Sequence, residues 1–249
     1  VGTLFADRFN LRNNLHRLTV VSGNGNVDFR IGQRDLLDLS NTRFSSIRFN
    51  WATNASGGVA YNPGTGTRIF DAIDFRDGKR ILFEGIDHIR FKDRVIDRTI
   101  VPNDPLFSQQ WNLHMMGVHT AWRLTTGSDR VAIGIADSGL GANAFGGIHP
   151  DLRATTTNLY GDYQDDFFDN FFFASSGSQP NSHGTAVQGI IAAASNNRYG
   201  MSGINWNSRV INLDVLGGQY SDFSLENAAQ TIINDASYLG QRLVINQKC

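Results

Sequence analysis

Val131-Ala-Ile-Gly-Ile-Ala-Asp137-Ser-Gly139 and Asn181-Ser-His183-Gly-Thr185-Ala-Val187-Gln-Gly189 decide how this chain is read. The first is a near-continuous apolar run, as a strand buried on both faces of a parallel sheet requires, and it delivers an aspartate into a Ser-Gly turn. The second sets a histidine at the mouth of a helix rich in small residues. A histidine there has its protonated form disfavoured by the helix dipole, which suits a neutral general base. Each segment alone has a plainer explanation. Asp-Ser-Gly is a common turn after a strand, and a histidine can simply open a surface helix. The pair is more specific. Aspartate precedes histidine by 46 positions, an order shared with one of the three unrelated Ser-His-Asp arrangements and not with the other two.

Around these segments the pattern alternates. Val118 to Leu124 reads as helix, Val131–Ala136 as strand, and His183–Ser195 as helix. Val210–Val215 follows as strand, Leu225–Leu239 as an amphipathic helix, and Leu243-Val-Ile245 as a further strand. Strand–helix–strand order predicts a doubly wound α/β sheet, whose working groups collect at the C-terminal ends of its strands.

Residues 1–98 read differently, as an all-β domain of sandwich or roll type. Short apolar runs recur at Leu18–Val21, Val27–Ile31, Phe44–Phe49, Ile81–Phe83, Ile86–Phe91 and Val95-Ile96. Val27, Phe29 and Ile31 alternate with polar residues, the period of a half-wet strand. Asp77-Gly78 between Phe75 and Ile81 predicts a hairpin, because that dipeptide tolerates positive φ. Ser22-Gly-Asn-Gly-Asn26 invites a calcium-repeat reading, but the nine-residue period it needs is absent and ordinary turns explain it. The chain thus divides into 1–98 and 99–249, with Thr99–Asp104 as linker.

Bulk properties narrow the class further. Net charge is −1, which gives no reason to expect nucleic acid as partner. Its distribution is uneven: residues 1–98 carry 15 basic and 11 acidic side chains, residues 99–249 carry 7 and 12. No apolar run approaches the roughly 18 residues of a membrane span, so no membrane role is expected. The start shows no basic-then-apolar leader. Cys249 is the sole cysteine, which excludes an internal disulfide.

From about residue 103 onward the chain resembles the catalytic domain of a subtilisin-like serine protease, with kexin/furin-like features. Besides the two segments above, the resemblance rests on Asn103-Asp-Pro-Leu-Phe107 with Gln109-Gln-Trp111, on Ala121-Trp122 with Gly127 to Gly134, and on His149-Pro-Asp-Leu152. It continues through Asn196-Asn197, Gly203, Asn207 and Arg209. The likeness implies that Asp137 and His183 are two members of an Asp-His-Ser triad hydrolysing peptide bonds in a protein or peptide substrate. It implies that Leu216, Gly217, Gly218 and Tyr220 line the substrate groove. It also implies a structural Ca2+ held by Asp104, Asp151 and Asn197 with main-chain oxygens near Ala194, Tyr199 and Met201. Secretion or another extracytoplasmic location follows from the same likeness.

Departures are visible as well. Gly141-Ala-Asn-Ala-Phe-Gly-Gly147 lengthens the link after the aspartate, and Ser138 with Gly217-Gly-Gln-Tyr220 does not support dibasic specificity. A second acidic group, Asp162, Asp165, Asp166 and Asp169, reads as a solvated turn. No Gly-Thr-Ser nucleophile motif occurs in the 249 residues, and neither Ser182 nor Ser202 has that context. The expectation is therefore a C-terminally incomplete subtilase domain, inactive alone, whose partner would be the missing C-terminal half. The alternative is an inactive chain whose β-domain serves as a binding or inhibitory module.

Overall fold

The computed structural model describes all residues except 14, 54–56, 141–147, 153, 158–181, 216–223 and 248–249. It divides into two compact units, Val1–Val101 with Ser108–Thr125, and Pro102–Phe107 with Thr126–Cys249. The segment 108–125, which lies beyond the linker in the sequence reading, groups with the first unit.

In the first unit, one sheet runs β1-β3-β8-β9 (Arg8–Asn10, Leu36–Leu39, His88–Phe91, Val95–Asp97). A second runs β2-β7-β6-β4 (Leu18–Ser22, Arg80–Glu84, Arg68–Phe75, Ile47–Asn50), with β5 (Val59–Tyr61) also on β6. Strands distant in sequence pair in parallel: β1 with β3, β3 with β8, and β2 with β7. Side chains of both sheets share one core of Val21, Leu37, Leu39, Ile73, Ile81, Phe83, Ile86, Ile89 and Phe91. Two short helices, α1 (Trp111–Met115) and α2 (Val118–Ala121), complete the unit.

The predicted hairpin joins β6 to β7, with Gly78 at φ 82° and its N–H donating to the Phe75 carbonyl at 3.0 Å. Val27–Ile31, by contrast, is a 3-10 turn and not a strand. Its ends explain the difference. Asn26 caps it by accepting the Asp28 N–H, and Gly32 closes it in the left-handed region at φ 85°. Similarly, Phe44–Ser46 is 3-10, and the strand begins only at Ile47.

The second unit is built on a parallel sheet ordered β11-β10-β12 (Arg209–Asp214, Val131–Asp137, Arg242–Gln247). Helix α3 (Ser182–Ala192) and helix α4 (Leu225–Tyr238) cover opposite faces. Alternation along β10 produces this: Ile133 and Ile135 pack with Ala192 and Val210 on the α3 side. Ala132 and Ala136 pack with Ile211, Leu213, Ala228, Ile232 and Ala236 on the α4 side. Right-handed crossovers to strands on opposite sides of β10 require helices on opposite faces. Ser224 caps α4 by accepting the Asn227 N–H at 3.2 Å, and Ala228, Ile232 and Ala236 repeat at i, i+4, i+8 as its buried stripe. At Gly134 a methyl group would lie 2.5 Å from Ile232 Cγ2, so glycine sets how closely α4 approaches.

Candidate active site

The strand order reverses beside β10, and a sheet of this kind binds ligands at the carboxyl ends of strands where that happens. Asp137 is the last residue of β10 and is 0 % exposed. Its main-chain carbonyl accepts the Val215 N–H at 2.7 Å, which pins the strand end to the neighbouring chain. Its Oδ1 accepts the Ser138 N–H at 2.7 Å.

The same Oδ1 lies 2.7 Å from His183 Nδ1. A carboxylate in this position can only accept, so the ring donates through Nδ1–H and Nε2 keeps the basic lone pair. The two partners differ sharply in exposure: 1 % for the Asp137 side chain and 50 % for His183. The buried carboxylate orients the ring, and the ring's other edge meets solvent. Asp137 Oδ2 is buried and accepts no hydrogen bond among the described residues.

Three neighbouring groups hold the histidine there. Ser138 Oγ accepts the Gly184 N–H at 3.0 Å, tying the first turn of α3 to the end of β10. A methyl group at Gly184 would sit 2.2 Å from the Gly139 carbonyl oxygen, so only glycine permits this approach. Gly139 itself takes φ 68°, a left-handed turn that lets the chain leave the strand directly under the helix.

A second Asp–His pair provides a control within the same chain. His119 Nε2 lies 2.9 Å from Asp87 Oδ1 in the first unit, and both side chains are 0 % exposed. Phe29 stacks on that imidazole at 4.0 Å, and Asp87 Oδ2 is taken up by Asn26 Nδ2 and the Asp35 N–H. Such a sealed pair can stabilise the fold but cannot reach a substrate. Sequence reasoning did not find it, because its members belong to segments that only the fold unites. It also missed Asp214, which closes β11 in register with Asp137 and is 6 % exposed. An aspartate ending a second apolar strand was the available signal.

The expected metal ligands come together in part. Asp104 accepts the N–H groups of Asn196 at 2.8 Å and Asn197 at 2.9 Å, and the Ser202 hydroxyl. Asp151 accepts Asn197 Nδ2 at 3.1 Å and the Met201 N–H at 2.9 Å. Asn197 Oδ1 accepts the Tyr199 N–H at 2.8 Å, and the Ala194 N–H donates to the Asp151 carbonyl at 2.6 Å. Among the described residues no three His, Cys, Asp or Glu side chains gather as a metal cluster. Ser202 is fully buried against Asp104, a structural position. Leu216, Gly217, Gly218 and Tyr220, and the Asp162–Asp169 group, lie outside the described residues.

Residues 128–246 match the subtilase family. The chain is 33 % identical over 128 residues to a halolysin-like extracellular serine protease, Nep, of Natrialba magadii, covering 50 % of this chain and 23 % of that protein. It is 32 % identical over 133 residues to human proprotein convertase subtilisin/kexin type 6, covering 48 % and 13 %. Human neuroendocrine convertase 2 is 33 % identical over 158 residues, covering 53 % and 22 %. The chain thus spans less than a quarter of the length of these relatives.

Proposed function

We propose that Asp137 and His183 form the acid–base half of a serine endopeptidase of the subtilisin type, a reading that the match of residues 128–246 to the subtilase family supports. The observation that carries this reading is the 2.7 Å Nδ1–Oδ1 contact between a buried carboxylate and a half-exposed ring at a strand's carboxyl end. His183 Nε2 takes the proton of an attacking serine hydroxyl and later gives it to the leaving amine. Asp137 fixes the tautomer and stabilises the imidazolium. The nucleophile comes from outside these 249 residues, on the same polypeptide or on a companion chain. Substrates are proteins or peptides, held along Leu216, Gly217, Gly218 and Tyr220, and the setting is extracytoplasmic.

The test is a fluorogenic peptide assay. The 249-residue chain alone shows negligible turnover. The protein that also carries the serine turns over, and His183→Ala lowers its kcat by about 10³-fold or more, the scale on which triad members act. Turnover by the 249 residues alone, abolished by His183→Ala, would show that the nucleophile lies within them. Full activity of the longer protein after His183→Ala would end the reading. The second reading is a non-catalytic protein whose β-rich unit binds or inhibits. It predicts no turnover in the longer protein either.

Calcium belongs to the same proposal. Asp104 and Asp151 are 4 % and 2 % exposed, they meet one loop, and their described partners there are neutral N–H and O–H donors. Two buried carboxyl groups with no basic partner among the described residues suit a hard divalent ion. Asp104, Asp151 and Asn197, with carbonyls near Ala194, Tyr199 and Met201, would hold it. Bound there, the ion would offset the carboxylate charge and stiffen the loop that follows α3.

A further inference from the structure

Helix α3 places the candidate base, and the fully buried stripe it turns to the sheet is made of small or polar residues. Gly184, Gln188 and Ala192 recur at i, i+4 and i+8, and all three are buried. Glycine and alanine offer little relief on that stripe, and the apolar interlock with Ile133, Ile135 and Val210 comes from the flanking Val187 and Ile191, which are only partly buried. Apolar contact is non-directional, so a polar tie within the stripe adds a fixed direction that packing lacks. Small displacements matter at a catalytic contact, where about 1 Å of misplacement can cost on the order of 10²-fold.

Gln188 supplies that tie. It is 0 % exposed and bonds in two directions. Its Oε1 accepts Asn212 Nδ2 at 3.0 Å from the middle of β11, and its Nε2 donates to Thr156 Oγ1 at 2.5 Å. Thr156 is itself fixed: it forms a parallel bridge with Val210, and its hydroxyl donates to the Leu152 carbonyl at 2.8 Å. The neighbouring Thr155 hydroxyl donates to the Ala192 carbonyl at 2.6 Å, holding the far end of the helix to the same segment. A buried amide clamp therefore meets α3 from two sides, midway between His183 and the helix end.

This clamp carries a cost. Asn212 Oδ1 is buried with no partner among the described residues, and an apolar side chain of similar volume would avoid that penalty. Buried polar groups of this kind are best attested as devices that fix register. We propose that Gln188, through Asn212 and Thr156, is a positioning residue that sets the register of α3 on the sheet and so holds His183 Nδ1 on Asp137 Oδ1. The proposal rests on the Asp137–His183 reading and adds to it a reason why the contact is held so closely.

The test observes that contact by proton NMR on the whole 249-residue chain and needs no turnover. The wild type shows a strongly deshielded ring N–H resonance that His183→Ala and Asp137→Asn each remove. In Gln188→Met/Asn212→Val, which removes both amides together, the chain stays folded and its thermal midpoint is unchanged or higher. The His183 N–H nevertheless exchanges with water at least about tenfold faster. Thr156→Val removes one arm of the clamp with little change of shape and speeds exchange about threefold, a second measurement should the double variant not fold. Exchange as slow as wild type in the folded double variant, or in Thr156→Val, overturns the proposal and leaves the Asp137–His183 reading intact. A wild type with no N–H signal sensitive to both His183→Ala and Asp137→Asn overturns that underlying reading instead.

Discussion

Asp35 is 1 % exposed, and burial pushes its carboxyl up to about 8, opposed by a hydrogen bond from the Asp7 N–H and reinforced by repulsion from Asp87 and Asp7. Between about pH 4 and pH 8 the folded chain therefore keeps a proton that the unfolded chain has released. This group's contribution to stability is full at low pH and is lost as pH rises through that window. Asp38 behaves in the opposite sense. Burial would raise it, but Arg8 and Ser40 hold it at about 2, so its contribution is present above pH 4 and lost as pH falls toward 2. The expected outcome is that Asp35→Asn flattens the decline in the first unit's urea midpoint between pH 4.5 and 8. An identical decline in the variant would show that another group controls it. Asp137 and His183 were legible in the sequence because each sits in a contiguous motif at a strand or helix end. Asp35, Asp87 and His119 were not, since their environment comes from segments tens of residues apart that give no local sign of meeting.

Among the elements, β10, β11, β12, α3 and α4 fall close to where apolar periodicity places them, and at α4 the Ser224 cap marks the start as well. Val27–Ile31 failed for a local reason: five residues of alternation cannot outweigh a side-chain cap at one end and a left-handed glycine at the other. The parallel pairing of β2 with β7 and of β3 with β8 was equally hidden, since local pattern carries no information on which distant strand is the partner. Contact between α3 and the turn after β10 supplies the prediction at this scale. Gly184→Ala puts a methyl group against the Gly139 carbonyl, a backbone atom that cannot rotate away. It should destabilise the second unit by about 1–3 kcal/mol, the usual cost of overpacking, and weaken the Asp137–His183 contact. Wild-type stability by urea titration would mean that the turn yields more readily than the geometry indicates.

An apolar core shared by the sheets of the first unit, and one on each face of the second unit's sheet, give each unit its own source of cooperativity. If calcium sits on the Asp104–Asp151 loop, chelation should lower the melting of the second unit alone, and Asp151→Ala should make that melting insensitive to chelator. At 100 times the dissociation constant the ion would contribute about 2.7 kcal/mol. A chelator-independent scan of the wild type would remove the metal from the account. The change of grammar near residue 99 was plain in the sequence, but the contact boundary is not a single cut. His119 lies beyond the linker and still supplies the sealed partner of Asp87. Anyone dissecting this polypeptide at residue 98 would strip the leading piece of α1 and α2 and take His119 away from Asp87 and from the Phe29 ring. The shortest fragment of that unit able to stand by itself must reach Thr125 and carry the intervening hexapeptide as a tether.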